Sequence, residues 1–135
     1  MQSTTKEAKS GKITVLVVEP MKKPYVKEIN PGLTSLQTEV GGDIEAIYPY
    51  SDPVALICNN EGKLIGLDPN RGLLDENGEI YDIVAGTFLV VGLGEEDFAS
   101  LSPELIQKYT EQFKTPERFM LVNGNIVAIS VIAEK

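Results

Sequence analysis

KITVLVVE, residues 12–19, is a continuous apolar and β-branched run about as long as one strand. Such a run predicts a strand that is buried on both faces, because a strand with one solvated face alternates apolar and polar residues. Pro20 ends the run, residues 21–24 make a turn, and Tyr25 to Ile29 alternates as a returning strand. The first two predicted elements are therefore neighbouring strands, and the first of them is expected to lie inside the protein.

Two helices are predicted from apolar spacing and capping signals. Leu33, Leu36 and Val40 fall on one helical face, and Gly41-Gly42 ends this helix because glycine adopts the left-handed conformation without a steric penalty. The second helix begins at Ser102, which is a capping residue followed by Pro103 and Glu104. Its buried stripe is predicted at Leu105, Ile106, Tyr109 and Phe113.

Further strands are predicted at Ile44 to Tyr48, Val54 to Cys58 and Thr87 to Val91. Asn60-Glu61-Gly62 is a tight turn, which we expect to lead into a strand over residues 63–67 and so to make a hairpin. The segment from Pro69 to Gly78 lacks periodicity and is expected to be an exposed loop.

The C-terminal part, residues 119–132, predicts a hairpin with a type I′ turn at Asn123-Gly124. The sum is a single small α+β domain, residues 12–135, with a mostly antiparallel sheet and two main helices. Residues 1–11 are polar and are expected to form a flexible tail.

Composition limits the functions that this domain can have. The chain holds 20 acidic and 12 basic residues, a net charge of −8, so its surface repels nucleic acid and direct nucleic-acid binding is not expected. The single cysteine excludes an internal disulfide and suits a reducing cytoplasm. We find no apolar run of the length that crosses a membrane, so we expect no membrane association and a cytoplasmic location.

Catalytic chemistry has few candidates. The chain contains no histidine, which removes His-assisted nucleophiles and His-bearing zinc sites. Cys58 ends an apolar run and is expected to be a small buried residue rather than a nucleophile. Asp43 and Glu45 point to one face of a predicted strand, where they either bind a metal, act as an acid and base, or form an exposed polar face. We favour the last reading, and we expect no catalytic residue, no metal and no cofactor.

Ligand binding has better candidates. The group Asn59, Asn60, Lys63, Asn70 and Arg71 lies in a stretch that otherwise resembles buried strands, and Arg71 offers a planar fork suited to phosphate or carboxylate. Alternative roles are turn geometry for Asn60, protection of a strand edge for Lys63, and bracing of a loop by Arg71 against Asp68, Asp75 or Asp82. Exposed backbone amides for the same ligand are expected around Gly41, Gly42, Gly86 and Thr87.

Several of these residues carry a family resemblance. The pattern is Val40-Gly41-Gly42-x-Ile44-Glu45, then Asn59-x-x-Gly62-Lys63-x-x-Gly66-Leu67 with Asn70-Arg71, then Asp82-Ile83-x-x-Gly86-Thr87-Phe88. It resembles the small domain known as domain of unknown function 3846 over about residues 13–113. The resemblance implies a protein of a phage or conjugative element of bacteria, with genes near antirestriction or other counter-defence functions. It supplies no catalytic residues.

The leading functional hypothesis combines the polar set with this resemblance. It is a non-enzymatic counter-defence protein that binds and sequesters a small anionic, nucleotide-derived signalling molecule, and a homo-oligomer fits because the sheet has edges to pair. The alternative is an acidic protein–protein inhibitor of the DNA-mimic or antirestriction type. A metal-dependent enzyme that uses Asp43, Glu45 or Asp82 is the third and weakest hypothesis.

Overall fold

The computed structural model describes residues 11–133, so the flexible tail predicted for residues 1–11 lies, apart from Gly11, outside the described residues. The described part of the chain forms ten strands and two helices. In chain order these are β1 (Ile13–Val18), β2 (Tyr25–Ile29), α1 (Leu33–Val40), β3 (Ile44–Ile47), β4 (Val54–Asn59), β5 (Pro69–Leu74), β6 (Ile80–Ala85), β7 (Phe88–Leu93), β8 (Phe98–Ala99), α2 (Pro103–Gln112), β9 (Glu117–Val122) and β10 (Asn125–Ser130).

The main sheet has the strand order β2–β1–β7–β4–β3, and each neighbouring pair is antiparallel. The short β8 adds to the end of β7. β1, β7 and β4 are the interior strands, which explains their continuous apolar sequences, because a strand covered on both faces has no solvated side. The buried strand predicted from KITVLVVE is confirmed, since Val15 to Val18 are at most 1% exposed.

Alternating side chains of the interior strands build two separate cores. On one face, Val15, Ile57 and Leu89 pack with Leu36 and Val40 of α1. The opposite face packs against α2 and against strands β5 and β6. The residues of this second core include Leu16, Leu56 and Val90 from the sheet, Leu73 and Val84 from β5 and β6, and Tyr109 and Phe113 from the α2 region. The domain therefore has three layers, with the sheet in the middle.

Both predicted helices are confirmed, together with their end signals. At the end of α1, Gly41 has φ of 81°, the left-handed conformation that glycine adopts most readily. At the start of α2, the Ser102 hydroxyl accepts a hydrogen bond from the backbone N–H of Leu105 at 3.3 Å. The buried Tyr109 then fixes α2 over the sheet, because its hydroxyl donates to the Asp52 carboxylate at 2.7 Å.

The loop predicted from Pro69 to Gly78 is wrong over its first half. Residues Pro69–Leu74 are β5, which pairs antiparallel with β6 in a two-stranded sheet. Proline, asparagine and glycine hide this strand from a pattern analysis. The strand forms nonetheless because Asn70, Arg71 and Leu73 are buried by other elements. β6 itself, Ile80–Ala85, was not predicted.

The strand predicted over residues 63–67 is also wrong. Residues 60–66 form successive turns, in which the Gly62 carbonyl accepts from the Leu67 N–H at 2.9 Å and the Glu61 carbonyl accepts from the Ile65 N–H at 3.0 Å. This turn segment links β4 to β5. Its consequence is that Lys63 lies at a surface bend rather than on a strand edge.

The predicted C-terminal hairpin is confirmed as β9 and β10, which are paired in register from Glu117↔Ser130 to Val122↔Asn125. Asn123 and Gly124 both have positive φ, 52° and 82°, as a type I′ turn requires. The hairpin rests on β5, because the Glu117 carboxylate accepts from the Gly72 N–H at 2.9 Å.

The fold is thus a single small α+β domain with mainly antiparallel sheets, as the sequence predicts. Within residues 11–133, no helix is long and apolar enough to cross a membrane.

Candidate functional site

The nine residues predicted to bind a ligand do not converge in the structure. Asn70 and Arg71 are inside the protein, Gly41, Gly42, Gly86 and Thr87 lie near the end of α1, and Asn59, Asn60 and Lys63 lie around the end of β4. Each group has its own hydrogen-bonding pattern, which decides whether it can receive a ligand.

Arg71 is 1% exposed, so the expected position in an exposed loop is wrong. Its Nη2 donates to the Phe113 carbonyl and to the Lys22 carbonyl, both at 2.7 Å, and its Nε donates to the Phe113 carbonyl at 3.2 Å. Nη1 donates to the Asn70 side-chain oxygen at 2.7 Å. The guanidinium fork is therefore occupied by protein oxygens and joins β5 to the end of α2 and to the β1–β2 turn. The alternative in which Arg71 braces a loop against an aspartate is also wrong, because these partners are carbonyl and amide oxygens.

Asn70 completes this buried network. Its Nδ2 donates to the carbonyls of Val18 and Gly86, both at 2.9 Å, so the amide ties β5 to β1 and to the β6–β7 turn. Burial lowers the pKa of Arg71, and the nearby Glu117 carboxylate acts in the opposite direction. Asn70 and Arg71 thus form a structural clasp, whose donors are occupied by protein oxygens. A clasp and a ligand site both need directional donors, which is why the two residues suggested a ligand site.

Three of the four backbone amides expected to be exposed, those of Gly41, Gly42 and Gly86, are engaged in hydrogen bonds within the protein. The N–H groups of Gly41 and Gly42 donate to the Gln37 carbonyl at 2.8 and 3.1 Å, and the Gly86 N–H donates to the Asp68 carbonyl at 2.7 Å. Gly86 has φ of 82°, and a Cβ there would lie 2.6 Å from the Leu67 side chain. These glycines therefore serve close turns, and their N–H groups are not free for an anion.

Asn59 is buried as well, whereas Asn60 and Lys63 are exposed. The Asn59 amide donates to the Val40 carbonyl at 3.2 Å and accepts from the Glu61 N–H at 2.8 Å, so it holds the turn after β4 against α1. The Lys63 ammonium forms an ion pair with Asp82 of β6. Of the nine predicted residues, Asn60 and Lys63 remain as side-chain candidates beside this turn, and the half-buried Thr87 lines a separate shallow cavity near the end of α1.

A groove runs between the turn segment and β6, and it has two chambers. We call the first the acidic chamber; its volume is about 410 Å³. The second, the apolar chamber, also has a volume of about 410 Å³ and lies between β6 and the C-terminal hairpin. Lys63, Asp82, Ile83 and Ala85 line both, so the Lys63–Asp82 ion pair stands at the boundary. The acidic chamber is also lined by the polar residues Glu45, Asn60 and Glu61, by Cys58 and by the apolar Ile47, Leu64 and Val84. The apolar chamber is also lined by Leu67, Pro69, Tyr81 and Ile126.

Charge in the acidic chamber favours a cationic ligand. Glu45, Glu61 and Asp82 contribute three carboxylates, against the single ammonium of Lys63.

The Cys58 thiol in the wall of the acidic chamber is 7% exposed. Burial, together with the nearby Glu45 carboxylate, raises the pKa of this thiol to about 11. The buried position predicted for Cys58 is confirmed, and a buried, protonated thiol is a poor nucleophile. The residues described contain no cluster of three or more Cys, Asp or Glu side chains that could hold a metal ion.

Tyr81, Ile83 and Ile126 are groove residues that were not predicted as ligand contacts. Tyr81 and Ile83 belong to the unpredicted β6, and Ile126 belongs to a hairpin whose position against β6 is a tertiary feature. The β-branched and aromatic content of Ile80–Ala85, the sequence IYDIVA, is the signal that could have revealed β6. Nothing local to residue 126 could have placed it beside Tyr81.

Fold and groove together define a small three-layer α+β domain with a two-chambered groove at the edge of its sheets. Residues 13–114 match the profile of the domain of unknown function DUF3846, and the chain belongs to this family. The resemblance read from the sequence is therefore confirmed, and the C-terminal hairpin lies beyond the matched residues. Neither the curated proteins nor the solved structures contain a match to this chain.

Proposed function

We propose that this protein is a non-enzymatic inhibitor that holds a basic, partly apolar segment of a protein partner in its groove. The observation that carries the proposal is the pairing of an acidic chamber with an apolar chamber across the Lys63–Asp82 ion pair. An extended segment with a lysine or arginine near a bulky apolar residue would satisfy both chambers at once.

Charge is the first support for this occupant. Lys63 and Asp82 are well exposed, with side chains 62% and 43% accessible, so their ion pair contributes little on its own and can be replaced. A cation from a partner would find Asp82, Glu45 and Glu61 along one chamber. A ligand with several phosphates would meet the same three carboxylates with unfavourable sign.

The apolar chamber is the second support. Tyr81 and Ile126 are 57% and 43% exposed on its rim, and Leu67 and Ile83 line its floor. Exposed apolar residues around a concavity favour burial of a bulky side chain, which contributes most of the binding energy in many protein interfaces. The charges of the acidic chamber would then fix the position of the bound segment along the groove, and contacts in the apolar chamber would supply most of its affinity.

A phage or mobile-element origin, which the family resemblance implies, would give this inhibitor a counter-defence setting. Nucleases and other proteins that act on nucleic acid carry basic surfaces, and a chain of net charge −8 is attracted to them. A non-enzymatic mode is supported by the absence of histidine in the sequence and by the protonated state of Cys58. An inhibitor that acts by occupying a site on its partner does not need to convert a substrate.

Sequestration of a small nucleotide-derived signal is a second candidate, and one observation favours it. Lys63 lies at the mouth of the apolar chamber with the exposed Tyr81 on the same rim. A nucleobase could stack on Tyr81 while a phosphate replaces Asp82 as the partner of Lys63.

Opposite effects of two substitutions separate these candidates. The probes are short peptides with one arginine and one leucine or phenylalanine one to three residues apart, and a panel of cyclic dinucleotides, measured by titration calorimetry. For the inhibitor, Asp82→Asn should weaken peptide binding about tenfold, and Lys63→Ala should leave it unchanged or strengthen it. For nucleotide sequestration, Lys63→Ala should abolish binding of the nucleotide, and Asp82→Asn should strengthen it.

Glu95→Gln is the matched control, since Glu95 is an exposed acid that lines neither chamber. It should change neither affinity. Peptide binding that is equally weakened by Glu95→Gln and by Asp82→Asn would reduce the effect to net charge and contradict a groove site. Absence of binding to every peptide in the panel at low salt would contradict the inhibitor proposal.

A further inference from the structure

The C-terminal hairpin has two faces with different surroundings. Its inner face, which includes Glu117, Phe119 and Ile126, lies against β5 and β6: the Phe119 ring is 3.3 Å from where a Cβ on Gly72 would stand, and Ile126 lines the apolar chamber. Side chains alternate along a strand, so residues 118, 120 and 122 of β9 and their partners on β10 point the other way. We call this second surface the outward face.

The outward face is apolar and exposed. Met120, Val122, Val127 and Ile129 are each between 40% and 48% exposed, and they form one patch because Met120 pairs directly with Val127 in the register. The described residues of this face carry a single charge, that of Arg118. A two-stranded hairpin that is covered on one face only has little reason to keep four aliphatic side chains on the other.

From these observations we propose that the outward face is a dimer interface that packs against the same face of a second copy. It is independent of the function proposed for the groove. Size is the first argument: the four aliphatic residues of the outward face present roughly 300 Å² of apolar surface, comparable with the largest apolar patch of a typical monomer, and such patches often mark interaction sites.

Charge is the second argument for a copy of this chain. A chain with net charge −8 repels itself and anionic lipid alike, so self-association requires a surface without acids. The outward face meets that condition, since its single charge is positive. A two-fold axis across the strands would set Arg118 over the Asn125 end of the partner copy, and Met120 and Val127 would lie at the centre.

Edge pairing is a weaker alternative for the same two copies. β10 pairs with β9 in the described structure, and its sequence, Asn125 to Ser130, has no charge or proline to protect its other edge. Joining two β10 strands would satisfy backbone groups, but it would leave both outward faces in solvent. Packing of the two faces removes the apolar surface from water, which is the stronger driving force.

Light scattering coupled to size exclusion of the full chain tests the proposal directly. We expect a species of twice the 14.7 kDa chain mass at micromolar concentration. Val127→Lys should raise the dimer dissociation constant more than about 100-fold, because two-fold symmetry places the new charge in the interface twice. Val26→Lys is the control: Val26 is 49% exposed on β2, away from the hairpin, and its substitution should leave the dimer intact.

Further measurements distinguish loss of the dimer from loss of the hairpin fold. In a Met120→Cys variant, oxidation should join the two copies through residue 120, because that position lies near the proposed axis, whereas a Val26→Cys variant should not cross-link. Circular dichroism of Val127→Lys should match the wild type. A monomeric wild-type protein, or a dimer that survives Val127→Lys and does not cross-link at residue 120, would overturn the proposal.

Discussion

Arg71 has the chemistry of a ligand anchor, but its surroundings give it a structural role. The carbonyls of Phe113 and Lys22 depend on its charged N–H groups inside the protein. Sequence alone could not separate the two roles, because the acceptors are 42 and 49 residues away along the chain. The turn at Asn60 to Gly62 was predicted correctly, since turn chemistry is a local signal, whereas Lys63 was placed on a strand and lies in the turn segment instead.

We expect Arg71→Ala to lower the free energy of unfolding by about 3–5 kcal/mol, because buried carbonyl oxygens would lose their donors. Arg71→Lys should recover only part of this loss, since one ammonium cannot reach both carbonyls as the fork does. Urea denaturation followed by circular dichroism measures both. Lys23→Ala, at an exposed site of the same region, should stay within about 0.5 kcal/mol of the wild type. A loss below about 1 kcal/mol for Arg71→Ala would contradict the clasp.

Cys58 gives a prediction of pH dependence. Burial, with a further contribution from Glu45, raises the pKa of its thiol from the ordinary 9.0 to about 11. The folded state therefore holds this proton more tightly than the unfolded state, so the stabilising contribution is complete below about pH 9 and is lost as the pH rises toward 11. The loss should be on the order of 2 kcal/mol.

Comparison with Cys58→Ser isolates this contribution from that of the tyrosines and lysines. The serine variant should be less stable at pH 7.5 by about 1–3 kcal/mol, since the hydroxyl costs more to bury, and the gap to the wild type should narrow between pH 9 and 11. The native thiol should also react slowly with a disulfide reagent at pH 7.5. Rapid labelling of the folded protein, or a gap that widens with pH, would show that the thiol is accessible and ionised.

Elements with local signals were predictable, and elements held by distant contacts were not. β1, β4 and β7 are continuous apolar runs, α2 carries a complete start signal in Ser102 and Pro103, and the hairpin is marked by Asn123-Gly124. β5 has none of these signals. Its sequence suits a loop, and it becomes a strand through the bonds of Asn70 to Val18 and of Arg71 to Phe113.

The same reasoning explains why the groove was only partly predicted. Its turn segment is local, but its opposite wall is β6, and its far end is Ile126 of the hairpin. The hairpin packs on β5, so the error over Pro69–Leu74 also concealed the surface on which the hairpin lies. Because neither β5 nor β6 was predicted, half of the groove could not be predicted either.

At the scale of the whole molecule, charge and apolar surface are separated in space. The carboxylates of the acidic chamber lie on one side of the Lys63–Asp82 pair, and the outward face of the hairpin is without acids in the described residues. One small domain thus presents an acidic chamber and, elsewhere, an apolar hairpin surface without acids. The remaining acidic residues repel one another, which lowers the stability of the folded chain.

Salt should therefore stabilise the protein. Raising sodium chloride from about 10 mM to about 150 mM shortens the screening length from roughly 30 Å to 8 Å, which suppresses long-range repulsion among the acids. The surface ion pairs, such as Lys27–Glu39 and Lys108–Asp52, weaken at the same time, but each contributes at most about 1 kcal/mol. We expect the melting temperature to rise by a few degrees, about 2–6 °C, when protein concentration is held constant.

The double substitution Glu95→Lys and Glu96→Lys supplies the control, because each change adds two positive units and the net charge moves from −8 to −4. Its melting temperature should start higher at low salt and rise less. A wild-type melting temperature that falls with salt would mean that the ion pairs outweigh the repulsion.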